Sequence, residues 1–65
     1  MSYYILYPKD KRRKVKIVTK KPKRRDWIRY GYGFAEGPAK NLTEVKKRLS
    51  MMNIPNNKRP DNVKS

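Results

Sequence analysis

Cationic side chains supply most of the chemistry this sequence can offer. Lys11-Arg12-Arg13-Lys14 and Lys20-Lys21-Pro22-Lys23-Arg24-Arg25 are two dense basic runs, and Lys16 and Arg29 lie just beyond them. Lysine and arginine neutralise phosphates and release counterions, which supplies affinity without sequence information. Arginine can also read guanine through two hydrogen bonds in the major groove. Trp27 stands among these cations and offers a ring on which a base can stack. Lys11, Arg12, Arg13, Lys14, Lys16, Lys20, Lys21, Lys23, Arg24, Arg25, Trp27 and Arg29 therefore form the candidate nucleic-acid-binding set.

The whole composition leans the same way. The 65 residues hold 19 Lys and Arg against 5 Asp and Glu, a formal charge of +14. Charge of that size opposes compaction, but it concentrates a polyanion around the protein and speeds encounter with it. The excess runs through most of the chain rather than sitting in one tail.

Other chemistries lack their residues. There is no Cys and no His, which removes disulfides, cysteine-ligated zinc and the usual general base. Asp10, Asp26, Glu36, Glu44 and Asp61 are scattered, so no enzyme, metal or cofactor is expected. Gly31-x-Gly33 lacks the correctly spaced third glycine of a dinucleotide fingerprint. No apolar run approaches the roughly 20 residues needed to span a bilayer. The apolar start, Met1 to Pro8, is too brief for a signal peptide and has no basic segment ahead of it. A cytoplasmic setting with no membrane partner is expected.

These side chains need elements to hold them. Tyr3 to Tyr7 is rich in aromatic and β-branched residues and predicts a strand closed by Pro8. Lys14 to Lys20 alternates basic and apolar residues over its first half, with Val15 and Ile17 on one face, and predicts a second strand. Trp27 to Phe34 places Ile28, Tyr30, Tyr32 and Phe34 at every second position and predicts a third. Its glycines mark a bulge or a close backbone approach. Glu36 to Lys40 reads as a loop.

Asn41 with Glu44 three residues on fits a helix start. Leu42, Val45, Leu49 and Met52 form one stripe at helical period, and Pro55 ends it. Residues 55–65 are polar and aperiodic and read as a flexible, disordered tail. The expected fold is α+β: a three-stranded antiparallel sheet packed against one C-terminal helix, in a single domain over residues 1–54. The expected core is Ile5, Val15, Ile17, Ile28, Tyr30, Leu42, Val45, Leu49 and Met52, with Tyr3, Tyr7 and Tyr32 at its edges. A domain this small buries only about 60% of its unfolded surface.

By the same parity Lys14, Lys16, Lys20, Trp27, Arg29, Tyr4 and Leu6 share the sheet face opposite the helix. Gly31-Tyr32-Gly33-Phe34 resembles the centre of the aromatic strand motif of RNA-recognition domains. Tyr30, however, stands where that motif has a basic residue. The order of three strands and a helix, carried by Trp27 to Phe34 and by Leu42-Thr43-Glu44-Val45-Lys46-Lys47-Arg48-Leu49, resembles the arm-type DNA-binding domains of phage and transposon integrases. That resemblance spans about residues 3 to 54. It implies a sheet lying in the major groove, with the helix behind it and Lys14, Lys16 and Arg29 facing the bases. The longer, proline-containing Glu36–Lys40 segment departs from that pattern.

The expected function is duplex-DNA binding by the basic sheet face and charged turns, in an accessory or regulatory role of a phage-like kind. An RNA- or ribosome-binding protein is one alternative. A phage-like inhibitor docking on an acidic surface of a host protein is the other. Met51, Met52 and Ile54 exceed what one helical stripe needs and could serve a protein partner.

Overall fold

Tyr3–Pro8 forms the central strand, β1, of a three-stranded antiparallel sheet in the computed structural model, which describes residues 2–64. Met1 and Ser65, the outermost residues of the expected domain and tail, lie outside the described residues. The elements that follow are β2 (Lys16–Val18), α1 (Arg24–Arg29), β3 (Tyr32–Ala39) and α2 (Leu42–Met51). The strand order is β2-β1-β3. The expected α+β class, with a helix packed on a three-stranded sheet, is what the chain adopts.

β1 is covered on both sides. Ile5, Leu6 and Tyr7 are buried in succession. Since successive strand residues face opposite ways, two layers must be present. On one face Ile5 and Tyr7 pack with Val15, Ala39, Val45, Leu49 and Val63, with Tyr3, Ile17, Leu42 and Ile54 around them. Ile5, Val45, Leu49 and Val63 are wholly enclosed, each worth roughly 1.5–3 kcal/mol over an exposed position. On the other face Leu6 and Tyr32 lie in a cleft with Trp27 and Tyr30 of the α1 region.

α1 corrects the expected third strand. Arg24 to Arg29 is helical, and Gly31, at φ +87°, turns the chain into β3. Trp27 and Arg29 are therefore on a helix and not on a strand face. Six residues span less than two turns, too few for a helical stripe to declare itself. Ile28 and Tyr30 are exposed and leave the core, while Leu6, Ala39 and Val63 enter it. The element order is β-β-α-β-α. It carries one helix more than the expected order of three strands and a helix.

β3 continues to Ala39 through the segment expected as a loop. Its pairing with β1 slips twice. Tyr3 pairs with Ala39 but Ile5 with Glu36, and Tyr7 pairs with Phe34 but Pro8 with Tyr32. The extra residues fall at Gly37-Pro38 and at Gly33, as bulges. Gly37, at φ +153°, allows the closest approach: a β-carbon there would lie 2.6 Å from the Tyr4 ring and 3.0 Å from the Tyr3 carbonyl. β2 is shorter than expected, so Lys14 and Lys20 flank the strand rather than lie in it.

α2 begins as its sequence predicts. Asn41 Oδ1 accepts from the Glu44 amide at 2.9 Å, and Glu44 Oε2 accepts from the Lys40 amide at 3.0 Å. It ends in a Schellman closure. The Asn53 amide donates to the Ser50 carbonyl, the Ile54 amide donates to the Leu49 carbonyl, and Asn53 sits at φ 58°. Met52 caps the helix and is half exposed, outside the core.

The segment expected as a disordered tail forms two 3-10 turns, Asn56–Lys58 and Asp61–Val63. Val63 supplies the apolar anchor that a polar composition concealed. Arg59 is buried, donating to the Ile54 carbonyl at 2.8 Å, the Val63 carbonyl at 3.4 Å and Ser50 Oγ at 3.3 Å. It fastens both turns to the end of α2.

Candidate nucleic-acid interface

The β1–β2 turn carries the first basic run and is braced from two directions. Asp10 Oδ1 accepts from the Arg12 amide at 2.9 Å, and the Arg13 amide donates to the Asp10 carbonyl. Lys58 Nζ donates to the Arg12 carbonyl at 2.6 Å, and the Val15 amide donates to the Lys58 carbonyl. The Lys9 amide meanwhile donates to the Gly31 carbonyl. The turn is thus tied to the C-terminal segment and to the α1–β3 junction.

Arg13 does more than carry charge. Its Nη1 donates to the Tyr30 carbonyl at 2.9 Å, and its guanidinium lies 5.0 Å from the Tyr32 ring centre. That stacking is a cation–π contact. Arg12 pairs with Asp10 at 3.4 Å but stays exposed. The bond from Arg12 holds the Asp10 carboxyl below its usual range. Lys14 lies close enough to Asp61 to lower that carboxyl further, after Lys64.

The second run, 20–25, links β2 to α1. Lys20, Lys21, Lys23, Arg24, Arg25 and Arg29 are all exposed, and none has an acidic partner among the described residues. The two runs meet through clefts that share residues. One cleft holds Leu6, Arg13, Lys16, Pro22, Asp26, Trp27, Tyr30 and Tyr32. The next holds Lys20, Lys21 and Lys23 with Ile17 to Thr19, and shares Pro22 and Asp26 with the first. A third, around Tyr7, Phe34, Met52 and Ile54, shares Arg13 and adds Lys11 and Lys58.

Lys11, Arg13, Lys16, Lys20, Lys21 and Lys23 thus line a series of adjoining depressions, not a flat sheet face. The expectation of an open sheet face is corrected: α1 lies over it, so Leu6 is buried and Tyr4 partly so. Lys16 keeps its place on that side, at the edge of the α1 cleft. Trp27 is half buried in the same cleft. Arg12, Lys14, Arg24, Arg25 and Arg29 stand outside these clefts.

Sequence reasoning missed Tyr30, Asp26 and Lys58 as parts of this surface. The signal for the first two was Tyr3-Tyr4-Ile5-Leu6-Tyr7 itself. A strand with no polar residue at alternate positions is buried on both faces, so something had to cover Leu6.

Glu36, Glu44 and Arg48 pair with one another where β3 meets α2. Arg48 bridges Glu36 at 2.7 Å and Glu44 at 3.2 Å, and Tyr7 donates to Glu36 at 2.8 Å. No group that could hold a metal ion is found among the described residues. No helix in that range is long and apolar enough to cross a membrane. No family model, curated protein or solved structure matches this chain.

Proposed function

We propose that this chain binds nucleic acid through its phosphate backbone, as a small accessory or regulatory protein of the cytoplasm and not as an enzyme. One observation carries the reading. Lys11 and Arg13 of the first basic run and Lys20, Lys21 and Lys23 of the second line adjoining clefts, and the second run has no acidic partner among the described residues. Unpaired cations concentrated in depressions attract a polyanion more strongly than the same charges spread over a surface.

The mode of binding differs from a sheet laid in a groove. With α1 over the sheet, contact comes from the β1–β2 turn, the 20–25 segment and α1. Backbone contact of this kind suits duplex DNA and single strands alike.

The test is a titration with labelled duplex DNA, single-stranded DNA and RNA across salt concentrations. If about five phosphates are contacted, log affinity against log salt falls with slope near −4.5 on duplex and −3.5 on single strands. Replacing Lys20, Lys21, Lys23, Arg24 and Arg25 together by Gln should weaken binding and flatten the slope, with the melting transition retained. Absence of binding to all three polyanions at about 50 mM salt would sink the reading.

A second reading has its own observation. Phe34, Met51 and Met52 are exposed, and Phe34 and Met52 line a groove that also holds Lys11 and Lys58. An acidic protein surface with an apolar centre fits that groove. Tight, one-to-one capture of such a protein with no response to nucleic acid would favour it.

A further inference from the structure

The cleft under α1 holds one residue that backbone binding leaves unused. Asp26 is a carboxylate beside Lys23, Arg24 and Arg25, yet its side chain makes no ion pair or hydrogen bond among the described residues. A carboxylate is an acceptor only. It repels phosphate and suits a ligand edge made of N–H donors.

The rest of the cleft is made of flat rings. Trp27, Tyr30 and Tyr32 line it with Leu6 and Pro22, and Arg13 and Lys16 complete the lining. Its volume of about 360 Å³ falls at the lower end of small-molecule sites, roughly 300–1,000 Å³. Tyr30 is 67% exposed, so its ring is open to a ligand. Rings, cations and one lone acceptor together describe a nucleobase with its flanking phosphates. Unpaired bases are recognised by stacking and by hydrogen bonds to their Watson–Crick edges.

The choice of base follows from donor geometry. Guanine presents N1–H and an N2 amino group side by side, matching the two oxygens of one carboxylate. Cytosine and adenine present one amino group beside a bare ring nitrogen, which the second oxygen repels. Thymine and uracil present one N–H flanked by carbonyls.

We propose that this cleft takes a single unpaired guanine of a polynucleotide strand. The base lies against Trp27 and Tyr30, N1–H and N2–H donate to Asp26, and the neighbouring phosphates rest on Arg13 and Lys16. This rests on the nucleic-acid reading above and narrows it to a base and an unpaired state. Asp26 also sits in the first turn of α1, where a carboxylate favours a helix. That role would give no preference among bases.

The experiment measures anisotropy of labelled oligothymidylate with one central dG, with hypoxanthine at that position, and with none. The dG strand should bind roughly tenfold more tightly than the other two, as a lost bidentate pair predicts. Asp26→Asn raises the net charge, so the readout is the ratio between strands and not the affinity. That ratio should fall to near one. Tyr30→Ala, at an exposed position that leaves the fold intact, should weaken the dG strand most. Thermal melts check both variants.

Equal binding of all strands overturns the guanine site while leaving backbone binding standing. So does a guanine preference that survives Asp26→Asn. No binding to any strand overturns both readings. Displacement of the strand by micromolar GMP alone would make the ligand a free nucleotide and overturn the site as stated.

Discussion

Tyr7, Glu36, Arg48 and Glu44 form a chain of bonds joining β1, β3 and α2, and two of its members, Tyr7 and Glu44, make stability depend on pH. Burial, then the bond to Glu36 and its charge, hold the Tyr7 hydroxyl well above its ordinary value of 10.0. A raised folded value means the contribution is complete below about pH 10 and lost as pH rises toward the folded value. Melting temperature should fall on that alkaline limb, and Tyr7→Phe should flatten it. Glu44 behaves oppositely. The Lys40 amide, then Arg48, hold its carboxyl below 4.5. Its contribution is present above about pH 4.5 and lost as pH falls through the lowered value. Glu44→Gln should make acid unfolding less steep between pH 5 and pH 2, as followed by circular dichroism at about constant ionic strength.

At the scale of elements, the strands and α2 were legible and α1 was not. The α2 stripe spans nearly three turns, enough for Leu42, Val45 and Leu49 to repeat at helical period. Arg24 to Arg29 offers one inward residue, Trp27, and the spacing of Tyr32 and Phe34 invites extension backward into it, although the Gly33 bulge sets those two rings on opposite faces of the sheet. The end of the chain hid its anchor for a similar reason. Val63 is one apolar residue among polar ones, with no period to mark it. Val63→Ala should cost about 2 kcal/mol, the transfer of two methylene equivalents plus a cavity, measured by urea unfolding. If the segment were a dispensable tail, the change would be within about 0.5 kcal/mol. The bulge at Gly37 is equally testable. Its positive φ and its closeness to Tyr3 and Tyr4 predict a loss of roughly 1–3 kcal/mol for Gly37→Ala.

For the whole molecule, a charge of +14 on 65 residues makes salt act in two directions. Screening relieves self-repulsion in the folded state, so the free protein's melting temperature should rise between about 10 mM and 150 mM salt. Affinity for nucleic acid should fall over the same range. A protein whose melting temperature and affinity both fell would carry its stabilising charge contacts within itself. The few ion pairs, centred on Arg48, argue against that. Most of the candidate surface was legible from charge alone. Its shape was not, because the clefts depend on α1 lying over Leu6 and on Arg13 joining two of them.

The bond from Lys58 to the Arg12 carbonyl has a consequence for the chain as it emerges from the ribosome. The basic turn is made before one of the groups that brace it, which lies 46 residues later. Lys58 is itself held near by turns that Val63 anchors. The turn can close on Asp10 and on the α1–β3 junction before then, but its brace from the C-terminal segment forms only once synthesis has reached Val63. The surface that reads first in the sequence is completed last in time.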